Sequence, residues 1–91
     1  MTENKKELLL PGAANAVPLH RLAEITGLST REIRLAIRRE RLQGVPILAD
    51  NQSGYFLPSA ETERARCVRS LRHRAGQIMA VAAAIEGRRI E

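Results

Sequence analysis

Hydrophobic and polar positions change their period several times along the chain, and each change predicts an element. Residues 1–7 are polar and charged; Leu8, Leu9 and Leu10 then run into Pro11-Gly12, which stops any helix begun there, so a short first helix with a frayed start is predicted. Residues 13–17 carry no strong pattern. Pro18 suits the first position of a helix, and Leu19, Leu22, Ala23 and Ile25 recur at helical spacing, predicting about two turns. Gly27 can adopt the positive φ that a sharp turn needs, and Ser29 followed by Glu32 makes a capping box that starts a new helix. That second helix, Thr30–Leu42, places Ile33, Ala36 and Ile37 on one narrow apolar face, with Gly44 as its C-terminal cap.

Beyond it the period shortens. Pro46-Ile47-Leu48-Ala49 and Tyr55-Phe56-Leu57 read as two short strands joined by the polar turn Asp50-Asn51-Gln52-Ser53-Gly54. Pro58-Ser59 closes this hairpin with Ser59 placed as a cap. One long helix is predicted over residues 60–86, with Glu61 and Glu63 near its positive end and Gly76 as its weak point. No internal repeat interrupts the chain. The expected fold is mainly α: three N-terminal helices and a small β-hairpin in a domain spanning 1–58, then a long C-terminal helix over 59–91.

Composition narrows the picture. Ninety-one residues suit one domain, and with Tyr55 and Phe56 the only aromatic residues its core must be built from Leu, Ile, Val and Ala. Fifteen Lys and Arg against ten Asp and Glu give a net charge of +5, and thirteen of the fifteen are Arg, whose planar fork matches phosphate and guanine edges. The lone Cys67 excludes an intramolecular disulfide and a cysteine cluster for zinc; it fits a reducing compartment, and a cytoplasmic location is expected. No apolar run approaches the roughly 20 residues of a membrane span, and the first seven residues lack the apolar stretch of a signal peptide. His20 and His73 have no His or Cys one turn away, and no nucleophile elbow, phosphate-binding Gly loop or paired-carboxylate cleft appears. Neither an enzyme, a metal site, a cofactor nor a small-molecule ligand is expected.

Helix, tight turn, helix and hairpin follow one another in the order of a winged helix-turn-helix, in which the helix after the turn enters the major groove of DNA. Arg31, Arg34, Arg38 and Arg41, spaced by three, four and three, line one stripe of the second helix beside its apolar face. Ser29, Thr30, Arg31, Arg34, Leu35 and Arg38 occupy positions that reach base edges or adjacent phosphates, with Arg39 and Arg41 toward phosphate. The alternative for this stripe is a solvated face whose arginines pair with Glu32 and Glu40. At the hairpin tip, Asn51, Gln52 and Ser53 are candidate hydrogen-bond donors to DNA, although the tip has no Lys or Arg and Asp50 would oppose a backbone contact.

Residues 19–57 resemble the winged-helix DNA-binding domain of biotin repressors, including the hairpin end Gly54-Tyr55-Phe56-Leu57-Pro58. Over most of its length the chain also resembles small phage- and prophage-type helix-turn-helix proteins, with Asn15-Ala16 before the motif and a Gly-Tyr-x-Leu-Pro hairpin leading to a basic helix. Both resemblances imply a winged-helix fold and DNA binding. The biotin-ligase domain of the first family has no counterpart here, so neither enzyme activity nor biotin sensing carries over.

The long helix begins with Arg64, Arg66, Arg69, Arg72 and Arg74, with no acid between them, a second candidate anionic contact. Val68, Leu71, Ala75, Ile78, Ala82 and Ile85 then alternate by three and four, the spacing of a coiled-coil seam. A homodimer through this seam would set two second helices on one duplex; the alternative is that the stripe packs on its own domain. The function expected is a small DNA-binding transcriptional regulator acting on double-stranded DNA as a dimer. The competing expectation is a winged-helix interaction module that engages an acidic protein partner.

Overall fold

A computed structural model describes residues 5–50 and 52–87. The chain is predominantly helical, with one two-stranded antiparallel sheet and a long C-terminal helix. Helix α1 is Leu19–Thr26 and helix α2 is Thr30–Leu42; strands β1, Leu48–Asp50, and β2, Gly54–Phe56, form the hairpin; helix α3 is Glu61–Gly87.

The α1–α2 corner is made by local chemistry. Gly27 takes φ 76°, a left-handed conformation that L side chains resist, and its N–H closes α1 on the carbonyl of Ala23 at 2.8 Å. The Thr26 hydroxyl donates to the Leu22 carbonyl at 2.7 Å and accepts the Leu28 N–H at 3.2 Å, so the turn's polar groups are satisfied. Ser29 and Glu32 form the capping box that opens α2. Leu22, Ile33 and Ile37 meet across the two helices with at most 1% exposure and, with Leu9 and Ile47, make the main core.

The hairpin stands between this core and α3. Leu48 pairs with Phe56, and their side chains share one face with the buried Cys67 of α3; Tyr55, on the opposite face, packs on the α1–α2 core. Leu48, Phe56 and Cys67 form the second, smaller core. The Tyr55 N–H and carbonyl also pair with Val17 at 2.9 and 2.8 Å, so β2 is bonded along both edges. Gly54 makes that approach feasible: its φ is +112°, and a Cβ there would stand 2.3 Å from the Val17 carbonyl oxygen.

Two departures from the sequence expectation concern the ends of this unit. Instead of three N-terminal helices there are two α-helices and two single 3₁₀ turns, Lys5–Leu8 and Ala13–Asn15. The first turn is short because Leu9 drops into the core and Pro11 follows; it is held from outside, its Lys5 and Lys6 N–H groups donating to the buried Glu40 carboxylate at 2.7 and 3.1 Å. Ser59, expected to cap α3, donates through both N–H and hydroxyl to Glu63, at 2.8 and 2.9 Å. Glu63 reaches back to do the capping, and its other oxygen takes the Ala13 N–H at 3.0 Å.

Past Cys67 every described residue of α3 is exposed, and the helix gives the molecule its 55 Å length. No helix among the described residues is long and apolar enough to cross a membrane.

Candidate nucleic-acid interface

Helix α2 has two distinct sides. Ile33, Ile37 and Glu40 are buried, while Arg31, Arg34, Leu35, Arg38 and Arg39 are exposed, as are Ser29 and Thr30 at its N-terminus. Neither acid of the helix is available to these arginines. Glu32 accepts the Ser29 N–H at 3.2 Å in the capping box, and Glu40 points inward to Lys5 and Lys6. Among the described residues the ion pairs are Arg21 with Glu24 at 3.6 Å and Arg64 with Glu61 at 3.7 Å, so the expected alternative of a self-neutralised stripe on α2 does not form.

Arg41 departs from the stripe. It is half-buried, its Nε donates to the Ile47 carbonyl at 2.6 Å, and its guanidinium lies 6.0 Å from the Tyr55 ring centroid. This residue, expected as a phosphate contact, ties α2 to the chain entering β1. The helical phase explains it: Arg41 lies one turn beyond Ile37, at the edge of the buried face.

At the hairpin tip the Asp50 carboxylate accepts the Ser53 and Gln52 N–H groups and closes the turn. The Ser53 N–H, then that of Gln52, holds the Asp50 carboxyl below its ordinary range, so the acid is committed to shaping the tip. Gln52 is exposed and Ser53 half-buried; Asn51 lies outside the described residues.

The five arginines of α3 are all exposed, but they do not form one patch. Arg66 and Arg74 line a groove bounded by α2 and the hairpin, where they face Arg34 and Arg41. Arg64, Arg69 and Arg72 lie on the far side of the helix. The apolar seam is open to solvent, from 37% and 40% exposure at Val68 and Leu71 to 69% at Ile78 and 76% at Ile85, with Ala75 and Ala82 also exposed. Its C-terminal part does not pack on its own domain.

Sequence reasoning missed the roles of four residues that organise this surface. Glu40 reads as a possible partner of the arginines and Glu63 as an acid at the positive end of its helix, yet each accepts backbone N–H from a distant segment, Glu40 from Lys5 and Lys6 and Glu63 from Ala13. The convergence of Arg66 and Arg74 on α2 carries no local signal, since it depends on how α3 crosses β1. Glu63 sits well suited to its task, its carboxyl held below the usual range chiefly by the Ser59 N–H and then by that of Ala13. Comparison with known protein families, with curated proteins and with solved structures finds no match to this chain.

Proposed function

We propose that this chain is a winged helix-turn-helix DNA-binding protein, a small transcriptional regulator that presents α2 to the major groove of duplex DNA. One observation carries the reading: the arginine stripe of Arg31, Arg34 and Arg38 is exposed and without acidic partners among the described residues, since no acid of α2 stands one turn from any of the three and Glu32 and Glu40 are engaged elsewhere. Unpaired guanidinium groups on one helical face supply the phosphate attraction and the bidentate geometry for guanine that such a helix needs. Exposed Leu35, beside the stripe, suits contact with a thymine methyl group. Self-association through the open seam of α3 would place two copies of α2 on one site and multiply a weak single contact.

The test is binding of a labelled duplex pool at several salt concentrations. Affinity should fall as salt rises, and binding that is absent or indifferent to salt would sink the reading. A second reading rests on the exposed apolar residues Ile25, Leu35 and Leu42, which also suit a protein partner. Stoichiometric capture of an acidic protein, with no duplex binding, would favour it.

A further inference from the structure

The five arginines of α3 read from the sequence as one basic segment, but the fold divides them. Arg66, Ser70 and Arg74 recur every four residues on one side of α3 and open into the groove whose other walls are α2 and the hairpin. Arg34, at the edge of the exposed stripe of α2, also lines this groove, so outward face and groove are continuous. Arg41 lines it too; its Nε is spent on the Ile47 carbonyl, while its Nη groups have no protein hydrogen-bond acceptor among the described residues.

Two carboxylates, Asp50 and Glu63, also border the groove. Four arginines less two carboxylates leave it net positive by two. Both carboxylates are occupied by backbone N–H groups, Asp50 by those of Ser53 and Gln52 and Glu63 by those of Ser59 and Ala13, which leaves no arginine of the groove in an ion pair. The groove thus combines uncommitted guanidinium donors on two facing walls with a serine hydroxyl between two of them. An extended polyanion fits this better than a single small anion, because the donors are strung along the groove instead of converging on one point.

We infer that this groove takes a phosphodiester backbone of the bound duplex, gripped by Arg34 on one wall and by Arg66, Ser70 and Arg74 on the other. Arg64, Arg69 and Arg72 lie outside the contact. The inference rests on the nucleic-acid reading of α2 and extends the interface onto α3. The double variant Arg66→Gln with Arg74→Gln is compared with the triple variant Arg64→Gln, Arg69→Gln and Arg72→Gln; all five positions are exposed, so circular dichroism should show both variants folded as the parent. For each, the affinity for a short random duplex is measured across salt concentrations.

Loss of the two groove arginines should lower the slope of log affinity against log salt by about 2, at about 0.9 per phosphate contact, while the triple variant keeps the parent slope. A double variant that keeps the parent slope, or a triple variant that loses as much, overturns the groove. Arg38→Ala separates the two readings. If it weakens binding while the double variant does not, the groove fails and α2 stands. If the double variant weakens binding and Arg38→Ala does not, the groove stands without the α2 reading. A parent chain with no salt-dependent duplex binding overturns both, as would a groove that captures only an acidic protein segment.

Discussion

The buried carboxylate of Glu40 accepts the backbone N–H of Lys5 at 2.7 Å, joining α2 to a segment 35 residues earlier. The contact does two things. It satisfies buried donors at the start of the Lys5–Leu8 turn, and it gives the Glu40 carboxylate, on the buried face of α2, the hydrogen bonds that a buried charge needs. Glu40→Ala removes the carboxylate that accepts the Lys5 and Lys6 N–H groups and should cost about 1–3 kcal/mol in urea unfolding, the usual range for losing a buried hydrogen bond to a charged group. An unchanged midpoint would show that the turn is not held this way.

Arg38 and Arg41 are three residues apart and should behave oppositely. Arg38→Ala removes an exposed side chain and should leave the thermal midpoint unchanged while weakening duplex binding by about 1–3 kcal/mol if it reads a base. Arg41→Ala breaks the hydrogen bond to Ile47 and should lower stability by about 1 kcal/mol, a typical value for such a bond. Equal effects of the two on unfolding would remove the distinction.

Gly54 and Gly44 both have positive φ, of 112° and 102°, yet only Gly54 is crowded. Gly44→Ala meets open space and should cost about 1 kcal/mol of backbone strain. Gly54→Ala adds a clash with the Val17 carbonyl and should cost about 2–4 kcal/mol. Thermal unfolding of the two variants side by side checks the order.

Glu63 gives stability a dependence on acid. Because its carboxyl is held below the ordinary value of 4.5, its contribution is fully present above that pH and is lost as pH falls through the lowered folded-state value. Glu63→Gln should therefore flatten the acid side of the stability profile, measured as thermal midpoint against pH. Parallel acid limbs in the parent and the variant would show that Glu63 is not responsible.

The open seam of α3 makes oligomeric state a direct observable. Sedimentation equilibrium should show a dimer, and Ile78→Lys, which sets a charge at a 69%-exposed seam position, should shift it to monomer without loss of helix. A parent chain that is monomeric at every concentration would remove the second copy from the proposal.

The parts of the fold legible in the sequence are those made by neighbours in sequence. The α1–α2 corner rests on Gly27, Thr26 and the Ser29–Glu32 box, all within a few residues, and the hairpin follows from polar residues between two apolar triplets. The opening 3₁₀ turn could not be read, since its N–H groups find their acceptor on α2. Spacing puts Arg41 on the exposed stripe, and nothing in it reveals that the Ile47 carbonyl lies within reach. The exposed stripe is visible in the sequence, whereas the inward turn of Glu40 is not, because its partners Lys5 and Lys6 lie some 35 residues away.

The pairing of Tyr55 with Val17 has a consequence for behaviour at high concentration. A lone hairpin presents two open strand edges, and such edges invite other chains to add on as further strands. Here β2 is closed by β1 on one side and by Val17 and Leu10–Gly12 on the other, through the paired groups of Tyr55 and Leu57. The edge that remains belongs to β1, three residues long and ending in the charged Asp50. The hairpin is thereby protected against runaway sheet growth, and the chain can expose a long apolar helix face without also offering a template for fibrils.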